Sequence, residues 1–140
     1  MSVEIKVLGP ADAPLFARIA EGVFDDPVQP ALVEEFLNDP RHALSVAIVD
    51  GEIVGMASGV RYVHPDKPSE FWINEVGVAP AFHRQGLGKR IMAELLAHAR
   101  REGCSEAWVL TDDDNTAARA LYAAAGGDAG SSQRMITFRL

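Results

Sequence analysis

The chain has 140 residues, a length that suits one domain with a full hydrophobic core. Its formal net charge of −7 argues against nucleic acid and anionic membrane surfaces as partners, and no apolar run approaches the ~18 residues of a membrane span. The single cysteine, Cys104, cannot form an internal disulfide, and the scattered histidines lack metal-ligand spacing, so no metal site is expected. Residues 1–7 lack the basic and apolar regions of a signal peptide, which favours a cytoplasmic protein.

The first half of the chain predicts a strand, two helices and a β-hairpin. Apolar alternation favours a strand over residues 3–8, and a short helix is expected to begin at Pro30, a residue suited to a first helical turn. Between them a helix is predicted over residues 11–24, with three apolar residues on one face: Leu15, Ile19 and Val23. Asp50 and Gly51 separate two β-rich runs and are a strong signal for a two-residue hairpin.

The second half of the chain predicts alternating strands and helices. In chain order these are a strand over 71–78, a long helix over 86–102, a strand over 106–112, a helix from Asn115 and a last strand over 134–140. The complete order, βααβββαβαβ, predicts a single α/β domain that spans the chain. Antiparallel strands leading into a βαβ unit give a twisted mixed sheet with helices on both faces.

Two glycines and three basic residues lie around the start of the long helix, shortly after an apolar strand. Gly86 and Gly88 remove side chains where the helix begins. A helix N-terminus leaves its first N–H groups unpaired and carries partial positive charge, so such a turn can hold a phosphate on backbone amides. Arg84, Lys89 and Arg90 add full positive charge. The segment therefore indicates a phosphate-bearing ligand.

Two common phosphate-binding motifs do not match this segment. A P-loop fails at two positions, because His83 stands at the first glycine and Arg90 at the metal-binding hydroxyl. A dinucleotide fingerprint lacks its third glycine, and too little chain follows Asp114 for a second nucleotide half. An ordinary helix start with solvated basic residues is the alternative that this segment alone leaves open.

The segment from His83 to Gly88 resembles the acetyl-coenzyme A loop of the GCN5-related N-acetyltransferases (GNAT), whose pattern is Gln/Arg-x-x-Gly-x-Gly/Ala between a strand and a long helix. The sequence departs from this pattern in carrying histidine at the Gln/Arg position. The resemblance implies acetyl-CoA as co-substrate, with its pyrophosphate held largely by the backbone of one loop: His83, Arg84, Gln85, Gly86, Leu87, Gly88 and Lys89.

A second motif supports the family. Residues 115–127 resemble its later signature, Asn-x-x-Ala-x-x-x-Tyr-x-x-x-Gly, at Asn115, Ala118, Tyr122 and Gly126. A capped helix with a core tyrosine and a left-handed last residue would account for this segment alone. It does not account for the occurrence of both signatures in the right order, so together they identify the chain as a member of the GNAT family.

Glu75 is the candidate general base, because an alkylammonium must lose a proton before it attacks a thioester. It occupies the strand that leads into the loop, where many family members carry a catalytic acid residue. Strand alternation puts Ile73, Glu75 and Gly77 on one face unless a bulge intervenes. The alternative is that Glu75 is a partner in a structural ion pair.

The resemblance also implies roles for residues on both sides of the coenzyme. Tyr122 is the candidate general acid, with its hydroxyl directed at the coenzyme sulfur. Asn115 would bond the pantetheine arm, which is expected to run like an extra strand along Val76, Gly77 and Val78 where two strands splay apart. A backbone N–H there would polarise the acetyl carbonyl.

The acceptor is expected to be a small-molecule cationic amine. Several segments resemble the small aminoglycoside 3-N-acetyltransferases, and a polycationic aminosugar suits six acidic residues: Asp25, Asp26, Glu75, Asp112, Asp113 and Asp114. The alternatives are a protein N-terminus, a polyamine, another metabolic amine, a non-catalytic acyl-CoA sensor, and acidic faces that are merely solvated. The sequence leaves formation of a homodimer open.

Overall fold

The computed structural model describes residues 2–140, which contain one five-stranded sheet with the spatial order β1-β2-β3-β4-β5. The strands are β1 (Glu4–Val7), β2 (His42–Val49), β3 (Glu52–Tyr62), β4 (Glu70–Val78) and β5 (Glu106–Val109). Neighbours pair antiparallel from β1 to β4, and β5 joins β4 in parallel. A long crossover connects those two parallel strands, as parallel pairing requires.

Helices cover both faces of the sheet, which confirms the predicted α/β class. The α-helices are α1 (Pro30–Asn38), α2 (Leu87–Arg101) and α3 (Thr116–Ala124), and two 3₁₀ turns lie at Pro10–Ala17 and Pro80–Phe82. Within residues 2–140, no helix combines the length and apolar character needed to cross a membrane.

Two apolar layers hold the helices in place. Ile91 and Leu95 of α2 are fully buried in the layer on one face of the sheet, together with Val54 of β3. On the opposite face, Val33 and Leu37 of α1 belong to a second buried cluster with residues of β2 and β3. The sheet is therefore buried on both faces at its centre, and the apolar stripe predicted for the long helix is confirmed.

The predicted hairpin is also confirmed. Asp50 and Gly51 both have positive φ, 50° and 76°, as a two-residue turn between right-twisted strands requires. The carbonyl of Asp50 accepts a hydrogen bond from the guanidinium of Arg18 at 2.8 Å. This contact ties the turn to the chain that follows the first 3₁₀ segment.

The helix predicted over residues 11–24 is wrong. Only the 3₁₀ segment Pro10–Ala17 forms, and Pro14 within it has no N–H to donate to a longer helical ladder. After it, Ile19 forms an isolated bridge with Ile53, whose carbonyl accepts a hydrogen bond from the N–H of Ala20 at 2.9 Å. Pairing with the sheet therefore replaces the second half of the predicted helix.

The last predicted strand, over residues 134–140, does not form. Among residues 2–140, nothing pairs with the segment Arg134–Leu140, although its apolar residues alternate as in a strand. Met135, Ile136 and Phe138 are 80%, 71% and 80% exposed, and Leu140 is fully exposed. Alternation describes how a segment would fit a sheet, but a strand also needs hydrogen bonds to a neighbouring strand, and this segment makes none with residues 2–140.

Candidate active site

A β-bulge in β4 determines where Glu75 lies. The register between β3 and β4 shifts between Ala57 and Gly59, so that Asn74 and Glu75 together oppose Ser58. The N–H of Glu75 donates to the hydroxyl of Ser58 at 3.3 Å, and Ser58 is buried within the sheet. The hydroxyl of Ser58 therefore stabilises the bulge by accepting a hydrogen bond from its backbone.

The bulge reverses the alternation along β4 and corrects one expectation from the sequence. Ile73 packs in the core on the α2 side together with Val76 and Val78, whereas Glu75 borders pockets on the α1 side. Ile73 therefore does not share a face with Glu75. At Gly77 a Cβ atom would collide with the backbone carbonyl of Val23, so this position requires glycine.

Beyond the bulge, β4 and β5 diverge. Their parallel pairing ends at Ile73 opposite Val109, and the next residues of each strand become the walls of a groove of about 1280 Å³. The divergence of the two strands predicted from the sequence is confirmed. Residues 127–133 of the C-terminal segment and one face of α3 complete the walls.

Eight of the eighteen predicted site residues meet in this groove. Its lining includes Asp25, Glu75, Val76, Gly77, Asp112, Asp113, Asn115 and Tyr122. Asp26 borders a second pocket of about 300 Å³ that shares Glu75 with the groove. The remaining predicted residues do not line either pocket: Val78, the loop from His83 to Lys89, and Asp114.

The Glu75 carboxyl has an unusual electrostatic environment. Although the residue is exposed, partial desolvation raises the pKa of its carboxyl above the ordinary value, and the negative charges of Asp25 and Asp26 raise it further. Among residues 2–140, Glu75 has no Lys, Arg or His partner within ion-pair distance. The structure therefore gives no support to a structural ion pair, and the carboxyl binds a proton more strongly than an ordinary carboxyl does.

Tyr122 faces the same groove from α3. The side chain is half-buried, and burial raises the pKa of its phenol above the ordinary value. Asn115 begins the helix as predicted, since its Oδ1 accepts from the N–H of Ala118 at 3.0 Å. Gly126 follows the helix with φ of 99°, the left-handed conformation also predicted.

The start of α2 suits an anion. Gly86 occupies the N-cap with φ of 74°, no side chain caps the helix, and the first turn contains no acid. The N–H of Arg90 donates to the carbonyl of Gly86 at 3.2 Å, so the amides of the three residues before it precede the first intrahelical bond. Arg84 also has positive φ, 62°, which is uncommon outside glycine. The loop thus presents backbone N–H groups without intrahelical partners, a feature that favours an anion.

The two glycines of the loop serve different purposes. A Cβ at Gly86 would meet nothing within 4 Å, whereas a Cβ at Gly88 would lie 3.2 and 3.3 Å from the methyl carbons of Leu121 on α3. Gly88 therefore allows α2 and α3 to approach each other. His83 contacts the carbonyl of Val78 through Nε2 at 2.7 Å and fastens the loop to the end of β4.

Sequence reasoning missed three residues at this site. Ser58 anchors the bulge, and its only signal was a small polar residue within an apolar run. Asn74 and Arg119 line the groove but belong to no recognised pattern. Within residues 2–140, no group of three or more His, Cys, Asp or Glu side chains is arranged to hold a metal ion.

Comparisons with known proteins agree with this geometry. The model of the Acetyltransferase (GNAT) family matches residues 13–126. The chain is 36% identical over 126 residues to the N-alpha-acetyltransferase RimI of Mycobacterium tuberculosis, a match that covers 89% of this chain and 77% of the relative. It is 35% identical over 127 residues to a mycothiol acetyltransferase of Thermobifida fusca, covering 85% of this chain and 38% of that longer protein.

Solved structures share the fold. An aminoglycoside acetyltransferase from an uncultured soil metagenomic sample, in complex with sisomicin, superposes with a TM-score of 0.84 at 18% identity, covering 99% of this chain and 96% of the other. Aminoglycoside N-acetyltransferase AAC(6')-Iy in complex with CoA gives 0.75 at 23% identity, covering 99% and 95%. The matched family model, the sequence relatives and the groove lead to one conclusion: the chain belongs to the GNAT family and is an acetyl-CoA-dependent acetyltransferase.

Proposed function

We propose that this enzyme acetylates a cationic primary amine that enters the groove beside Glu75. The observation that carries the proposal is the Glu75 carboxyl itself, which borders the groove without a cationic partner among residues 2–140 and has a raised pKa. A carboxylate in this state attracts an ammonium group and removes a proton from it more readily than an ordinary carboxylate does.

Two side chains divide the proton transfers. Glu75 accepts a proton from the ammonium, directly or through one water, and the neutral nitrogen then forms a bond to the acetyl carbon. As the bond from that carbon to sulfur breaks, the Tyr122 hydroxyl donates its proton to the sulfur, and the tyrosinate regains a proton, directly or through water, from the second N–H proton that the nitrogen loses as the amide forms. Acetyl-CoA supplies the activated acetyl group. The raised pKa of Glu75 suits a base. The role of Tyr122 is supported by its place in the groove, since a phenol is protonated at neutral pH without any shift of its pKa.

The coenzyme is assigned to the opposite end of the site. The amides from Leu87 to Lys89 and the positive charges of Arg84 and Arg90 would hold the pyrophosphate. The backbone of Val76 to Val78 would accompany the pantetheine arm. Asn115 already uses Oδ1 to cap α3, so its NH₂ group is the part left to donate to that arm.

A polycationic aminosugar, as in the aminoglycosides, is the first candidate acceptor. Asp25, Glu75, Asp112 and Asp113 border one groove, and none of them belongs to an ion pair among residues 2–140. Several unpaired carboxylates around one open cavity favour a ligand with several positive charges.

A protein N-terminus is the second candidate acceptor. It is favoured by the 36% identity to an N-alpha-acetyltransferase across most of both chains. An α-amino group carries a single charge and has a lower pKa than an alkylammonium, about 8 rather than about 10, so it needs less help from a base. An α-amino acceptor should therefore depend less on the base and on ionic strength than a polycationic aminosugar does.

The test is to mix the purified protein with acetyl-CoA and an amine, and to follow release of free thiol. The panel contains an aminoglycoside such as gentamicin, the polyamine spermidine, and short peptides with free or blocked N-termini. Release with gentamicin well above background, and none with the peptides, would establish the aminosugar. Release only with free peptide N-termini would establish the second candidate. Tight acetyl-CoA binding without release for any amine would contradict the proposal and favour an acyl-CoA sensor.

A further inference from the structure

Two tryptophans, here called the tryptophan pair, stack on the sheet face opposite α2. The indole rings of Trp72 on β4 and Trp108 on β5 lie nearly parallel, with centroids 5.3 Å apart and an interplanar angle of 14°. The residues next to them along each strand pack in the core on the α2 side, so strand alternation directs both tryptophans to the other face. Trp72 is 40% exposed there, which leaves a large aromatic surface open to a ligand.

A chain of polar contacts holds the tryptophan pair in place. The Nε1–H of Trp108 donates to the hydroxyl of Tyr62 at 2.8 Å, and that hydroxyl donates to Oε1 of Glu70 at 3.3 Å. The other carboxyl oxygen of Glu70 lies 2.9 Å from Nε2 of His64, whose ring packs edge-to-face against Tyr62. Aromatic rings that are already fixed lose little conformational entropy when a ligand binds. The pair is therefore a preorganised surface.

The tryptophan pair adjoins the groove beside Glu75. Asn74 and Leu110 line that groove, and each is the next residue after a tryptophan on the same face of its strand. Trp72 precedes Glu75 by three residues, which at about 3.3 Å per residue separates their backbones by roughly 10 Å. An acceptor whose amine meets Glu75 can therefore reach the pair with a second ring.

The charge around the tryptophan pair is negative. Glu70 and Glu106 lie opposite each other in the register of β4 and β5, two residues before the tryptophans and on the same face. In the part of the chain that the structure describes, Glu106 belongs to no ion pair. An indole ring attracts cations through its quadrupole and also packs against apolar ring faces. The combination suits a ring that carries an ammonium group.

We propose that the tryptophan pair is a second acceptor subsite, which binds an amino-substituted sugar ring joined to the ring that is acetylated beside Glu75. The apolar face of the second ring packs on the indoles, and its ammonium group faces Glu106. The inference rests on the proposed function, because it takes the amine beside Glu75 as the reacting one. It narrows the first candidate acceptor to aminosugars of at least two rings.

The first test measures binding without catalysis. Trp72 and Trp108 are the only tryptophans in the sequence, so intrinsic tryptophan fluorescence reports on the pair alone. With CoA in place of acetyl-CoA, neamine, an aminosugar of two rings, is expected to cause a saturable change in emission. Its single-ring component 2-deoxystreptamine should cause a much smaller change. Emission that stays constant up to millimolar neamine would overturn the subsite.

The second test measures the contribution of the pair to turnover. Trp72→Ala should raise the KM for neamine on the order of tenfold and leave kcat unchanged, because the lost contact is equally present in the ground state and the transition state. The KM for 2-deoxystreptamine should stay the same. Trp72→Phe is the matched control, since it keeps a ring and should raise the KM for neamine only a few-fold.

The charge at the subsite has its own variant. Glu106→Gln should raise the KM for neamine a few-fold at low salt and much less at high salt, because an exposed attraction is screened. Thermal unfolding and CoA affinity, both expected to be unchanged in the Trp72 and Glu106 variants, show that the fold is intact. Equal rises in KM for the two acceptors in Trp72→Ala would overturn the subsite.

The two tests also distinguish failure of the subsite from failure of the proposed function. Thiol release with neamine that Trp72→Ala leaves unaffected would reject the subsite and keep the proposed function. A saturable fluorescence change with neamine, without thiol release for any amine, would reject the proposed function and confirm the pair as a binding site for an amino-substituted ring. Neamine that neither binds nor reacts would overturn the subsite.

Discussion

The two ends of the site are formed by different chemical groups, backbone amides at the start of α2 and side-chain carboxylates around Glu75. At the start of α2 the chain offers backbone amides, a glycine with φ of 74° and no acid in the first turn. Around Glu75 the chain has several carboxylates. Partial desolvation and the negative charges of Asp25 and Asp26 raise the pKa of the Glu75 carboxyl. Backbone groups do not titrate and are little affected by salt, whereas clustered carboxylates respond to both. We therefore expect substitutions at the α2 end to act through geometry, and substitutions at the Glu75 end to act through charge.

The largest effect is expected from Glu75→Gln. Loss of the base should lower turnover by about 10²- to 10⁴-fold, with partial recovery at high pH where more amine is already neutral. In the wild type, kcat/KM should rise as pH increases through the raised pKa of Glu75, and the variant should lack this rise. The measurement is a pH profile of thiol release.

Stability provides the control for Glu75→Gln. A carboxyl whose pKa is raised by folding stabilises the protein fully only below its unfolded pKa, and this contribution is lost as pH rises through the folded pKa. At pH 7 the glutamine variant should therefore be at least as stable as the wild type in thermal unfolding. A variant that is both unstable and inactive would contradict the assignment of Glu75 as a base.

Tyr122→Phe should have the next largest effect, because Tyr122 lines the groove beside Glu75 and is the proposed proton donor. Removing only the proton donor should reduce turnover by about 10²-fold and leave coenzyme affinity nearly unchanged. Single-turnover thiol release and calorimetry with CoA measure the two quantities separately. Full turnover in the phenylalanine variant would return Tyr122 to an ordinary packing role.

Gly86→Val tests the α2 end. The position is open to solvent, but its φ of 74° disfavours a β-branched residue, so the amides should move away from the pyrophosphate and weaken CoA binding by about tenfold or more. Arg84→Ala should weaken binding only a few-fold if backbone groups dominate. Calorimetry with CoA compares them. Equal losses in both variants would mean that side-chain charge, rather than backbone geometry, holds the anion.

The smallest effect is expected from replacing Asp25 and Asp26 together by asparagine. Charge attraction at an open site is screened beyond about 8 Å at physiological salt, so the wild-type KM for a polycationic amine should rise with ionic strength. The double variant should begin at the raised KM at low salt and change little, with turnover preserved. Steady-state kinetics at several salt concentrations test this. A steep salt dependence that survives the double substitution would assign the attraction to other acids.

Much of this organisation could be predicted because it depends on local chemistry. The left-handed pair Asp50 and Gly51 specifies a hairpin, and Asn115 caps α3 through an atom only three residues away. The apolar stripe of α2 and its glycine-opened N-terminus follow from helical geometry. These features also carry the family signatures, which is why the fold class and the family could be recognised before the structure.

Features that depend on contacts between distant segments were decided only by the tertiary structure. Glu75 faces the groove because a bulge, anchored on Ser58 from a neighbouring strand, reverses the alternation of β4. Position 88 requires a residue without a side chain because Leu121 of α3 packs against it. The helix predicted over residues 11–24 ends early because Ile19 pairs with Ile53 of the sheet. Periodicity along a chain records which side chains favour burial, but the partner that buries them is fixed by segments far away in sequence, so the two sides of the site could be located only once the strands were paired.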